Sequence, residues 1–385
     1  MYVPGNKAYE HHRKTYGPQD KFGYKDFIPL FRAEKFDPAA WVKLFADAGA
    51  RYVVPVAEHC DGFAMYASDF TRWDSSEMGP KRDVTGEIAK AARAQGMHFG
   101  LSSHRAEHWW WYHKGRSFPS DVADPKNRGL YGPAAPTGLP ADTPDAWPDS
   151  SQLQNWMPPS REFLDDWMGS QFAEGSAMFD MERGKSDALK LTPWQSDTSI
   201  SIHSWGYAQN DSYRTPQIAD RRSDRHRQQD GNLLLNVGPR ADGTIPDEIA
   251  SVLAGMGAWL RVHGEAIYGT RPFHYFGEGP TSSGQVAPSA GRSRNRRKGV
   301  RPRRYPVHHE GRHALRHGSW SDPPTAGVLV KTLYAGTPYL PAPIRHIELL
   351  GGARSTGSRP RRGLEIRLPA DASGGMPYAL RVRVK

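Results

Sequence analysis

Apolar and polar positions alternate through the first 270 residues in a way that predicts helices and strands in turn. FDPAAWVKLFADAGA opens with Asp37 as cap and Pro38 at the first helical position. It carries an apolar stripe of Trp41, Leu44, Phe45 and Ala48, and it stops at Gly49. RYVVPV (51–56) then reads as a buried strand. Asp83 caps a second helix bearing Ile88, Ala91 and Ala92 that ends at Gly96, and MHFGLSS (97–103) is the next strand. SAMFDM (176–181), TSISI (198–202) and GNLLLNVG (231–238) are further strands. After Pro246, Ile249, Val252, Leu253, Met256, Trp259 and Leu260 share one helical face. Such alternation predicts a parallel α/β architecture.

The period changes near Gly269–Pro272. GVLVKTL (327–333), IRHIELL (344–350), GLEIRLP (363–369) and YALRVRV (378–384) are short strands with turn residues between them, which predicts an antiparallel β-sandwich. The domain reading is therefore 1–270 and 271–385. Three stretches carry no face to bury: ADRRSDRHRQQDGN (219–232), the Arg- and His-rich 292–317, and ARSTGSRPRR (353–362). No strand-like apolar run occurs between Tyr112 and Ser176, and only Ser160–Met168 reads as a helix start.

Charge changes the picture little. The net charge is +10, yet ten Lys or Arg and the single acid Glu310 between Arg292 and His317 supply +9 of it. A local tract of this kind predicts a solvated, disordered loop around 286–322 and argues against nucleic acid as a partner. No apolar run approaches the ~18 residues that would cross a membrane. The opening MYVPGNKAYEHH has no apolar signal-peptide core. One cysteine, Cys60, excludes an intrachain disulfide framework and a multi-cysteine zinc site.

Polar clusters recur where predicted strands end: Glu58, His59, Cys60, Asp61; then His104, Arg105, Glu107, His108 with Trp109, Trp110 and Trp111. Glu182 and Arg183 follow SAMFDM, and His203, Trp205 and Tyr207 follow TSISI. Active sites of parallel barrels form at the carboxyl ends of strands. Aromatic faces stack on sugars, and Arg, His, Asp and Glu bind hydroxyls, so these residue types point to carbohydrate. A glycosidase needs two carboxyl groups flanking the scissile bond, and Glu182 is the candidate for one. A metal reading of His104, Glu107 and His108 is weak, because loop spacing does not fix ligand geometry. No cofactor is called for.

Several longer segments resemble family 29 α-L-fucosidases. EHCDGFAMYASDFTRWDSSEMGPKRD (58–83) is similar to the family segment around HHDGF and GPKRD. HHRKTYG (11–17), WGY (205–207), GNLLLNVGPRADGTIP (231–246) and GEAIYGTRPF (264–273) are also family-like. The resemblance implies an irregular (β/α)8-like barrel with a C-terminal β-sandwich and retaining removal of terminal α-L-fucose from glycans or glycoconjugates. By position, His59 matches the first histidine of HHDGF, which contacts fucose, and Cys60 stands where a second histidine is usual. Arg183 matches an active-site arginine. Gln195 follows Trp194 where many relatives carry the acid/base glutamate, which leaves Glu182 as the local acid/base. Asp61, His104, Glu107, His108, Trp109 and Trp205 complete the implied substrate-binding set.

Two departures set further expectations. The chain starts after the family's HWG-type first strand, and REFLDDWMG (161–169) runs directly into SQFAEGSAMFDMERG, so the strand bearing the nucleophilic aspartate reads as deleted and the barrel as incomplete. Asp165, Asp166 and Asp180 are not assigned that role. The Arg-rich stretches look like out-of-frame or decayed sequence.

Overall fold

The computed structural model describes residues 1–104, 108–132, 179–183, 194–216, 231–270, 312–316, 328–352, 354–368 and 379–385. They group into two units: residues 1–177 with 238–250, and residues 178–237 with 251–385.

In the first unit, Asn6 caps α1 (Lys7–Tyr16) by accepting from Tyr9 N. Asp37 caps α2 (Pro38–Asp47) through Ala40 N, with Pro38 in the first turn as read from sequence. The run 51–56 breaks at Pro55 into β1 (Tyr52–Val53) and β2 (Val56–Glu58). After α3 (Val84–Ala94), capped by Asp83, the next run divides into β3 (His98–Phe99) and β4 (Ser102–Ser103). The parallel pairs are β1 with β3 and β2 with β4. Short helices α4 (His108–Trp111) and α5 (Arg128–Tyr131) follow. Val42, Val84, Ile88, Ala92 and Met97 form one core under α2 and α3. A second core is largely aromatic: Tyr2, Phe63, Trp73, Tyr112 and Tyr131, with Ile28, Val122 and Leu130. The segment 238–250 is fastened to this unit at the chain before α2, where Ala33 N donates to Ala241 O, Lys35 N donates to Asp242 O, and the Trp41 indole donates to Gly243 O.

The second unit holds a parallel sheet in the order β5 (Phe179–Asp180), β6 (Trp194–Ser199), β7 (Gly231–Asn236). Expected from TSISI, the middle strand instead occupies WQSDTS, several residues earlier. Its inward side is built from Trp194 and the small hydroxyl residues Ser196 and Thr198, all fully buried. This strand has no apolar run; it is held by pairing to β7 along its length and to β5 at Trp194 and Gln195. Helix α6 (Asp247–His263), whose first four residues belong to the first unit, buries Ile249, Val252, Leu253, Met256 and Trp259, most of the stripe read from sequence.

The C-terminal strands are β8 (Arg312–Arg316), β9 (Val328–Val330), β10 (Ile344–Leu349), β11 (Arg354–Ser358), β12 (Leu364–Arg367) and β13 (Ala379–Val384). They form one six-stranded sheet ordered β8-β13-β10-β11-β12-β9, antiparallel throughout. Strand β11 gives Arg354 and Ser355 to β10, and Thr356 to Ser358 to β12. The sheet curls at that handover, so Val328 of β9 reaches the same core as Leu380 and Val382 of β13. Among the described residues these strands make one curled sheet where two facing sheets were expected. Leu364, Ile366, Leu380 and Val382 are almost fully buried, and each contributes about 1.5–3 kcal/mol.

Two sequence expectations change here. Arg312–Arg316, placed in a disordered basic tract, is the edge strand β8 paired to β13. ARSTGSRPRR, read as having no face to bury, contains β11. The remainder of 286–322, the polar segment 219–230, the helix start at 160–168 and the junction where a nucleophile strand is expected to be missing lie outside the described residues, as do Asp165 and Asp166.

Candidate functional site

In the first unit the parallel pairing of β2 with β4 brings the ends of two strands together. Glu58 is in register with Ser103, and His104 N donates to Glu58 O at 2.9 Å. His59 and His104 therefore leave adjacent strand ends, and their rings stack with centroids 4.4 Å apart. Trp111 stands edge-on to His59 at 5.9 Å and is half exposed, an aromatic surface beside two imidazoles. Cys60 points inward and is buried.

Asp61 is held on every side that the fold can reach. Tyr24 Oη donates to its Oδ2, Phe63 N donates to its Oδ1 at 3.2 Å, and Tyr112 Oη donates to its backbone carbonyl at 3.0 Å. Burial, with the Asp61 charge second, pushes the Tyr24 hydroxyl well up, so it stays a donor at any ordinary pH. Behind it, Tyr2 Oη donates to Asp121 Oδ1 at 2.7 Å, Tyr131 Oη donates to Asp121 Oδ2, and Tyr24 N donates to Tyr2 Oη. Burial raises the Asp121 carboxyl and all these phenols. Gly62 completes the turn with φ +75°; a Cβ there would lie 2.2 Å from His108 Nε2 and 2.5 Å from Leu130 O.

His108, expected at the substrate, is buried under this turn, where its Nε2 donates to Leu130 O. Its position is explained by support of the loop. Glu107 lies outside the described residues; of Trp109 only the backbone, in α4, is described.

In the second unit, the end of β5 and the middle of β6 crowd three carboxylates. Asp180 is in register with Gln195, whose side chain donates to it. Arg183 N donates to Asp197 O at 2.9 Å, which seats the Glu182–Arg183 turn against β6. Arg183 adopts φ +48°, a left-handed conformation that non-glycine residues seldom take. Its guanidinium donates to Ile202 O and Ser199 Oγ and lies 4.4 Å over the Trp205 ring. Glu182 is exposed.

Asp197 was not among the residues singled out from sequence. Its Oδ1 is buried without a hydrogen-bond partner among the described residues. Burial, then repulsion from Asp180 and Glu182, pushes its carboxyl up to about 6. Burial also raises Asp180, with Glu182 adding to the effect. A D-x-S-x-S strand gives no sign of this; only the parallel register does, because it stacks one carboxylate strand beside another.

Among known proteins, the family model for Alpha-L-fucosidase matches residues 1–265. The tissue alpha-L-fucosidase of Homo sapiens is 31% identical over 298 residues, which are 70% of this chain and 63% of that protein. The Rattus norvegicus tissue alpha-L-fucosidase is 30% identical over 278 residues, 66% of this chain and 60% of the relative. The chain thus spans about three fifths of the length of these relatives. The Thermotoga maritima alpha-fucosidase, solved in complex with fucose, superposes with a TM-score of 0.63 at 23% identity, over 99% of this chain and 86% of that one. The fold is of that kind, and the chain belongs to the alpha-L-fucosidase family.

Proposed function

We infer that this chain is a glycoside hydrolase acting on terminal α-L-fucosides of glycans or glycoconjugates, and that its turnover is impaired. The observation that carries the reading is the family match over residues 1–265, which spans every chemistry-bearing cluster described above. The parallel strands are segments of an irregular (β/α)8-like barrel within 1–270, and the curled sheet belongs to a C-terminal domain within 271–385.

Roles are assigned residue by residue. His59, His104 and the Trp111 face bind the sugar, and Asp61 and His108 keep the His59 loop in shape. Arg183 is fixed by two acceptors and Trp205, so its guanidinium is positioned before substrate arrives, which saves ordering entropy on binding. Glu182 is the acid/base. Asp197, which keeps its proton up to about 6, is a second carboxyl able to supply one. Retaining hydrolysis needs a nucleophile about 5–5.5 Å from the acid/base. The direct junction of REFLDDWMG with SQFAEGSAMFDMERG leaves that role to no described residue, and this is the ground for impaired turnover.

A second reading, a fucose binder without turnover, is favoured by Gln195: its amide is committed to Asp180 and has no acid to give. Nitrophenol release from an aryl α-L-fucoside, with calorimetry using free fucose, separates the two. Slow release that is lowered in Glu182→Gln supports the hydrolase. Fucose binding without release supports the binder, and neither binding nor release removes both.

A further inference from the structure

We propose that His59, Cys60 and His104 form a site for a soft divalent cation of the zinc class, bound through one thiolate and two imidazoles. The inference does not rest on the fucoside reading.

The placement comes from the sheet. Pairing of β2 with β4 brings the residues after Glu58 beside those after Ser103, and the bond from His104 N to Glu58 O closes the gap. One ligand atom from each of the three side chains then lies within 4.8 Å of the other two. Zinc–sulfur bonds of about 2.3 Å and zinc–nitrogen bonds of about 2.0 Å imply tetrahedral edges of roughly 3.5 Å. To reach that size the ligand atoms must draw together by about an ångström.

The donor set selects the metal. Sulfur with two imidazoles suits zinc or cobalt(II) and disfavours magnesium or calcium, which take oxygen. Cys60 is buried, His104 is half-buried and His59 is exposed, so the trio lies where the interior meets the surface. Three protein ligands with an open position is the arrangement of exchangeable rather than closed structural sites. Ser102 Oγ, 3.5 Å from His104 Nε2, is placed to orient that ring. On binding, the Cys60 S–H proton leaves to solvent and a sulfur–metal bond replaces it; no redox change occurs. From sequence a different trio, His104 with Glu107 and His108, is considered and set aside. His108 is taken by Leu130 O, and the β2 end supplies His59 and Cys60 in its place.

Cobalt(II) is the probe, added to the full chain after chelator treatment. Cys60 is the chain's one cysteine, so a thiolate-to-cobalt charge-transfer band within a single chain has one source. The expected result is one cobalt per chain, tetrahedral visible bands, and a near-ultraviolet charge-transfer band that disappears in Cys60→Ser. His104→Ala and His59→Ala should each weaken cobalt binding by at least about tenfold, the lower end of what losing even an outer-shell partner costs. Absence of the charge-transfer band in the native chain at excess cobalt would overturn the proposal. So would a band of unchanged affinity in both histidine variants. If Cys60→Ser does not fold, the native spectrum and the two histidine variants still decide the matter.

Discussion

The two polar clusters of this protein are built on opposite principles. The loop His59–Phe63 is fixed by groups that do no chemistry: Tyr24 and Tyr112 hold Asp61, His108 and Leu130 pack under Gly62, and a buried Tyr–Asp network stands behind them. The cluster on β5 and β6 instead gathers groups that resist being together. Asp180, Glu182 and Asp197 crowd the end of β5 and the middle of β6, and Asp197 has a buried oxygen without a partner among the described residues. A loop that holds a ligand gains from satisfied bonds, whereas a group that moves protons gains from an unsatisfied environment that shifts its titration. Substitutions in the first region should therefore register mainly in stability, and those in the second mainly in activity and its pH dependence.

The largest expected effect is Glu182→Gln. The side chain is exposed, so thermal unfolding should be unchanged while hydrolysis of a fucoside with a poor leaving group falls by about 10²–10⁴. A parallel loss of melting temperature would break the contrast. Next is Gly62→Ala, which combines a left-handed backbone with a clash against His108 and Leu130 O. It should cost about 2–4 kcal/mol in urea unfolding; a neutral result would show that the turn is not rigid.

The third prediction sharpens the pH argument. With Asp197 titrating at about 6, activity that uses its proton should fall about tenfold per unit above that pH, and Asp197→Asn should remove the limb. The sign for stability is the same: the folded state favours the protonated carboxyl, so that stabilisation is present below the ordinary carboxylate range and is lost as pH rises through about 6. A pH–rate profile and pH-dependent denaturation read the two separately. The smallest effect is Tyr112→Phe, which leaves the buried ring in place and removes one bond to Asp61 O. About 1 kcal/mol of stability should be lost, with KM affected more than kcat.

What the sequence made legible follows the same division. Helices α2, α3 and α6 announce themselves by Asp37, Asp83 and an apolar stripe, and β7 by an unbroken Leu run. His59 was singled out because a long motif surrounds it, and Arg183 because it matches a family arginine by position. Strands β6, β8 and β11 were missed or misplaced. WQSDTS and RSTGS are strands because neighbours satisfy their backbones, and Arg312–Arg316 is held at an edge by pairing to β13. None of the three has an apolar pattern to read. Asp197 and the His59–Cys60–His104 trio were invisible for a related reason: each depends on which strand lies beside which, and register is not written in either strand alone.

The central claim is a fucoside site with impaired turnover, and the most direct measurement is nitrophenol release from an aryl α-L-fucoside by the purified chain. Slow release, specific for the fucoside over other aryl glycosides and lowered less in Glu182→Gln than hydrolysis of a fucoside with a poor leaving group, is the expected outcome. Turnover as fast as that of the longer relatives would contradict the claim of impairment, and no release together with no fucose binding would contradict the claim of a fucoside site.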